Sequence, residues 1–282
     1  MPFTLSHAAA VLPGIRRDGT GRGPLVPAVL VAGSFAPDLP YYAAGAVPGG
    51  MGFGRVTHAF AGVATVDAVI SWALVGLWLL VREPLLALLP TAWQGRSAAL
   101  LRCGRPRARV RAVSVARWYV SAVLGALTHV VWDAFTHRGR WGTRLLPAIG
   151  REHPAGLPLF SWLQYGCSAA GAAVVLAWAA RALRRTPDGA PVGVPLLSAR
   201  DRGWAGAVIG GCALAGAVQR AAGSVSLGLD LNLVPTLCFG AGAGTLTGLV
   251  AYAVGVRTCR PAPAPGTPAE PTRADRKRPV GR

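Results

Sequence analysis

The sequence predicts an all-α protein, a multi-span transmembrane helical bundle of about five spans preceded by a short N-terminal helical segment. Three observations carry this. Of the 282 residues, 52% are hydrophobic and 14% are charged, against about 25% charged in a typical soluble domain. Several apolar stretches reach about twenty residues, the length that crosses a bilayer as a helix. The arginines fall mainly in the intervals between those stretches, where basic residues set the orientation of membrane helices.

Residues 1–24 open with an apolar segment containing Ser6 and His7. The segment lacks a basic lead-in and breaks at Pro13, unlike an ordinary signal peptide. Residues 24–36 are apolar but short for a span. They lead into Pro37-Asp38-Leu39-Pro40-Tyr41-Tyr42, where the flanking prolines stiffen the turn that projects Asp38. A glycine-rich loop runs on to Thr57-His58.

Residues 59–81 form the first expected span, with His58 at its mouth. Asp67 lies inside it. On a continuous helix it would be turned about 900° from His58, onto the opposite face. It is therefore expected outside the same site, paired with a buried basic group such as Arg220 or hydrogen-bonded within the bundle. Residues 82–117 hold eight arginines and one acid. The apolar piece at 85–93 is expected on the membrane surface.

Residues 113–135 form the second expected span, which Gly139 stops. Residues 138–159 read as a loop with four arginines, Glu152 and His153. Residues 160–180, 204–222 and 235–256 complete the set. Small residues such as Gly240, Gly242, Gly244 and Gly248 allow close helix packing in lipid. The Pro/Ala/Arg-rich tail reads as disordered. Three regions follow: 1–160 with the candidate site and two spans, 161–256 with three further spans, and 257–282 as the basic tail.

The net charge of +18 would suggest nucleic acid in a soluble domain. In short loops beside membrane spans it sets orientation instead, so membrane lipid is the expected partner and nucleic acid is not. Five spans place 82–117, 181–202 and the tail on one side with twenty Lys and Arg, against eight on the other. The richer side is expected to be cytoplasmic in a multi-pass cell-membrane protein, with the C-terminus. The five cysteines show no C-x-x-C spacing and read as packing residues.

The chemistry-bearing stretch is residues 128–137, Thr-His-Val-Val-Trp-Asp-Ala-Phe-Thr-His. Here His129, Asp133 and His137 recur every four residues, so a helix sets all three on one face. Their axial spread of about 12 Å is too long for one ion to be held by all three. The spacing suits two ions with Asp133 shared between them. His7, Asp38 and His58 fall on the same, outer side of the span count. Imidazole and carboxylate suit zinc and similar divalent ions. Ser6, Thr57 and Thr136 each precede a histidine and are candidate donors to it or helix caps. His153, beside Glu152 and Pro154, reads as a loop residue. A hydrogen-bonded helix end without metal and a proton or ion relay are the competing readings.

These motifs resemble a known group. The opening Met1-Pro2-Phe3-Thr4-Leu5-Ser6-His7, the stretch Gly33-Ser34-Phe35-Ala36-Pro37-Asp38-Leu39-Pro40-Tyr41, Thr57-His58 and residues 128–137 resemble an uncharacterised membrane family, domain of unknown function 4184. More distantly, the ligand order is similar to that of the zinc-dependent phospholipase C and S1–P1 nuclease fold, and to predicted membrane-bound metal-dependent hydrolases. That similarity implies His7, Asp38, His58, His129, Asp133 and His137 as metal ligands with Asp133 shared. The soluble enzymes add a later His-x3-Glu pair, which this chain lacks. The expectation is a metal-dependent hydrolase of a lipid or phosphoester using one or two divalent ions, zinc first. The alternatives are a non-catalytic membrane protein stapled by a metal or polar cluster, and an ion or proton transporter. Polar groups clustered at one end of the bundle count against transport.

Overall fold

The computed structural model describes residues 3–103, 112–226 and 233–259. Among these residues there is no β-strand, and a single isolated bridge joins Ile15 to Gly21. The N-terminal region is a run of short helices: α1 (Ala8–Val11), α2 (Pro27–Gly33), α3 (Leu39–Ala43), α4 (Gly50–Thr57) and α5 (Phe60–Ala64). Three 3-10 turns, Thr4–His7, Leu12–Gly14 and Ala36–Asp38, sit among them. Then come α6 (Val66–Ala87), α7 (Thr91–Leu100) and α8 (Ala112–Thr136). The short α9 (Trp141–Leu145) and α10 (Pro147–Arg151) lead to three long helices, α11 (Leu159–Arg185), α12 (Ala199–Ser226) and α13 (Leu233–Cys259).

Among the described residues, four helices are long and apolar enough to cross a membrane: α6, α11, α12 and α13. The fifth long helix, α8, carries Arg117, His129 and Asp133 and is not one of those four. The protein is thus an all-α bundle of long apolar helices with a short helical N-terminal segment.

Three boundaries differ from the sequence expectation. The first span does not begin at residue 59. Thr65 takes a non-helical backbone, φ −124° and ψ −81°, and splits the stretch into α5 and α6. At its other end α6 runs on through Pro84 to Ala87. Residues 85–87 are therefore the end of a long helix rather than a separate surface piece. Leu86 and Ala87 pack with Ala98, Cys103 and Val194. Residues 257–259 close α13 rather than opening the tail, and the rest of the expected disordered tail lies outside the described residues.

Two sets of close crossings hold the bundle. A Cβ on Gly33 would strike the Ala122 carbonyl, and one on Gly125 would strike the Leu30 carbonyl. Here α2 is laid directly against α8, and Val29, Ala32, Ala68, Val75 and Ala122 pack around the crossing. Gly216, Gly240 and Gly244 bring α12 and α13 equally close, the small-residue packing expected in lipid.

At the far end of α6, Glu83 accepts from Arg82 Nε at 2.6 Å and from Arg257 Nη2 at 2.7 Å. Arg202 donates to the Leu89 carbonyl at 2.8 Å. The 22 residues of α6 span about 33 Å. The helix thus separates this arginine-rich end from its own N-terminus by roughly the 30 Å hydrocarbon thickness of a bilayer.

Candidate metal centre

His7 closes the first 3-10 turn. The turn is seated on α11, where a Cβ on Gly171 would meet Ser6 and the Phe3 N–H donates to Ser168 Oγ at 2.9 Å. Asp38 closes the turn Ala36–Asp38, which is tied to α4 by Thr57 Oγ1 donating to the Pro37 carbonyl at 2.8 Å. His58 caps α4. His129 and Asp133 stand one turn apart on α8, and His137 follows its last residue. His7, Asp38, His58, His129 and Asp133 are all buried, at 7% exposure or less.

Asp133 is the centre of the constellation. His129 Nε2 lies 3.5 Å from both Asp38 Oδ1 and Asp133 Oδ2. His58 Nε2 lies 3.8 Å from Asp38 Oδ1 and 3.5 Å from Asp133 Oδ2. His7 Nε2 approaches Asp133 Oδ1 at 3.4 Å, and His137 Nδ1 approaches Asp133 Oδ2 at 3.4 Å. One donor atom from each of Asp38, His58, His129 and Asp133 falls within 4.8 Å of all the others.

These separations are too long for good N–H···O hydrogen bonds, which run about 2.7–3.2 Å. They match the edge of a tetrahedron with arms of about 2.0–2.1 Å, where neighbouring ligands stand about 3.3–3.5 Å apart. The Nε2 atoms of His7, His58, His129 and His137, with Asp38 Oδ1 and Asp133 Oδ1, are buried without a hydrogen-bond partner. Buried polar atoms are almost always satisfied. The donor atoms of Asp38, His58, His129 and Asp133, gathered within 4.8 Å of one another, therefore mark a place fit for a cation.

The outer nitrogens support this. His129 Nδ1 is 2.7 Å from the Ser34 carbonyl, and His58 Nδ1 is 2.9 Å from the Gly54 carbonyl. A carbonyl only accepts, so each Nδ1 carries the proton and each Nε2 presents a lone pair inward. This is how metal-bound histidines are usually oriented. His137 differs: its Nδ1 is the atom that faces Asp133, 3.2 Å from the carbonyl and 3.4 Å from Oδ2. The rings of His7 and His129 stack at 3.7 Å between centroids, an arrangement that two positive charges would disfavour.

The electrostatics agree for the two imidazoles that flank Asp133 from outside the four-donor cluster. Burial, followed by the neighbouring His129, lowers the pKa of the His7 imidazole. Burial lowers that of His137 to about 4, against the pull of Asp133. Both are neutral ligand forms at pH 7. Burial pushes the Asp38 carboxyl up, but the His129 imidazole outweighs it and holds the group below its ordinary range. The second oxygen of Asp38 accepts from Thr4 Oγ1 at 2.6 Å, and Thr4 Oγ1 in turn accepts from the Tyr42 hydroxyl at 3.0 Å.

The structure brings all six expected residues to one place. His129 and His137 approach the same oxygen of Asp133. Of the three serine and threonine candidates, Thr57 and Thr136 lie beside the histidine that follows them, whereas the Ser6 hydroxyl turns to the Phe3 carbonyl. His153 is an exposed loop residue with Nδ1 on the Arg151 carbonyl.

The expected pairing of Asp67 with Arg220 is not formed. Arg220 donates to the Tyr41 carbonyl and to Met51 Sδ, and both carboxylate oxygens of Asp67 are buried without a hydrogen-bond partner. The break at Thr65 removes the continuous helix on which the opposite-face argument rested. Asp67 lies within electrostatic reach of His129. Sequence reasoning missed Thr4 and Tyr42, and it missed the carbonyls of Ser34 and Gly54. Thr4 carried one usable signal, its place in the same turn as His7; backbone carbonyls carry none.

A family model described as a domain of unknown function, DUF4184, matches residues 1–254. No curated protein and no solved structure matches the chain. The similarity of ligand order to the zinc-dependent phosphodiesterases therefore rests on sequence order alone.

Proposed function

The chain belongs to the DUF4184 family, and we propose that it is a membrane-embedded metal-dependent hydrolase of a lipid or phosphoester. Asp38, His58, His129 and Asp133 hold one divalent ion, with zinc the first choice for two imidazoles and two carboxylates. The observation that carries this is the convergence of the buried, unpartnered Nε2 atoms of His7, His58 and His129 on two carboxylates at 3.4–3.8 Å.

Charge balance favours one ion. Two buried carboxylates neutralise one divalent cation, and a second cation would leave buried charge without a partner. His7 Nε2 and His137 Nδ1 flank the Asp133 carboxylate, each at 3.4 Å. His137 is the open edge: its side chain is 20% exposed while the carboxylate it faces is 3% exposed. A bound divalent ion there polarises a phosphoryl or carbonyl oxygen and acidifies a bound water. The protein's own part is to orient the ligands through Ser34, Gly54 and Thr4, and to keep the water-exposed side limited to the His137 edge.

The arginine-rich end of the bundle is the cytoplasmic one under this reading, with the C-terminus there and the centre on the outer side. Membrane lipid is the partner, and the basic residues serve orientation rather than nucleic-acid binding.

Metal analysis of the detergent-purified protein after reconstitution with zinc, manganese or iron tests the centre. About one ion per chain is expected. Hydrolysis of phospholipid vesicles or of a small phosphodiester, lost on chelation, tests the activity. Protein that binds none of the three metals overturns both.

One observation favours a second reading, a structural metal. Four protein donors from separate segments, all buried, resemble a closed site, and a catalytic site keeps a position open. Bound metal that raises Tm but supports no turnover decides for it.

A further inference from the structure

We propose that the groove between α3, α4, α6 and α13 binds one acyl chain of a membrane lipid, running from the metal centre into the bilayer. This rests on the reading of the centre as acting at a lipid, and it names how that substrate is held.

The groove has a volume of about 540 Å³ and is lined by apolar residues and glycine, among them Leu39, Pro40, Phe53, Ile70, Leu77 and Leu246. No charged or hydrogen-bonding side chain lines it. It lies next to segments that carry the centre: Leu39 and Pro40 directly follow Asp38, and α4, which supplies Phe53, ends beside His58. Ile70, Leu74 and Leu77 lie on one face of α6, beginning one turn beyond Asp67. They carry the groove about 10 Å along the helix, away from the centre and toward the arginine-rich end. That is the path of an acyl chain whose headgroup sits at the centre.

The surroundings identify the occupant. Both α6 and α13 are long and apolar enough to cross a membrane. An opening between them faces hydrocarbon, and Val47 and Phe53 at its rim are 53% and 44% exposed. An apolar cavity without polar partners does not hold ordered water. The chain's own residues 260–282 are rich in arginine and proline and contain no apolar run to fill it.

The test uses the full-length protein in phosphatidylcholine nanodiscs doped with a phosphatidylcholine carrying a diazirine at the end of one acyl chain. After irradiation, adducts are mapped by peptide mass spectrometry. Adducts are expected to concentrate on residues 47–53 and 70–77. They should fall several-fold in Ala73→Trp and in Ala43→Trp, each of which fills the groove, while adducts near the exposed Leu176 of α11 stay unchanged. Groove peptides labelled no more than α11, or labelling that survives both tryptophans, overturns the proposal. Ala43 is exposed at the last position of α3, so Ala43→Trp decides the matter if Ala73→Trp does not fold. Zinc content is measured on the same samples. Groove labelling without bound metal leaves the acyl site standing and removes the hydrolase; bound metal without groove labelling does the opposite.

Discussion

The Nδ1 atom of His129 lies 2.7 Å from the backbone carbonyl oxygen of Ser34, although the two residues are 95 positions apart. That one bond fixes the tautomer of the most buried histidine in the centre. It exists because α2 crosses α8 at Gly33 and Gly125, where either helix would collide with the other's backbone if it carried a Cβ.

Gly125→Ala should therefore push α2 away from α8 and turn the Ser34 carbonyl off His129. Overpacking of this kind costs typically about 1–3 kcal/mol. A lower Tm together with reduced metal content is expected. Gly76→Ala, on α6 with open space around it, should leave both unchanged or slightly improve stability. Thermal unfolding and metal analysis of the two variants side by side check this, and equal behaviour would remove the crossing from the account.

Asp133→Asn should lose metal more severely than His58→Ala. The carboxylate of Asp133 faces nitrogens of His7, His58, His129 and His137, whereas His58 is one donor among several. Loss of an outer supporting group commonly costs about 10–100-fold in affinity, and loss of the central carboxylate should exceed that. His153→Ala is the control. If Asp133 were only a hydrogen-bonding group, asparagine would retain an acceptor and a similar shape, and full metal content in that variant would exclude its role as a ligand.

Below about pH 6.5, stability of the metal-free protein should fall as the solution is acidified. The pKa values of His7 and His137 are lowered in the fold, so between about pH 6.5 and 4 the unfolded chain binds more protons than the native one. The stability they contribute is complete above about pH 6.5 and is lost toward pH 4. Asp38, whose pKa is also lowered, adds a loss in the same direction at lower pH. Unfolding midpoints of chelator-treated protein across pH 7.5 to 4 give the answer, and a flat profile would contradict the buried, neutral state of the two imidazoles.

Reporter fusions after Arg96 and after Arg282 should both report the cytoplasmic side. The basis is the excess of twenty Lys and Arg over eight between the two sides of the span count, and Glu83, Arg82 and Arg257 gathered at one end of the bundle. An external signal from either position would reverse or break the proposed topology.

The long apolar helices α11, α12 and α13 were legible from composition, because a run of about twenty apolar residues has one stable outcome in a bilayer. The shared face of His129 and Asp133 was legible too, since helical phase depends only on local spacing. Tertiary structure decided the rest. Thr65 broke the expected first span, so the phase carried from His58 to Asp67 had no helix to travel along. Thr4 reaches Asp38 across 34 residues, and the carbonyls of Ser34 and Gly54 orient two imidazoles. No residue type marks a carbonyl as an acceptor: every non-terminal residue has one, and only the packing of α2 on α8 and the end of α4 selects which is used.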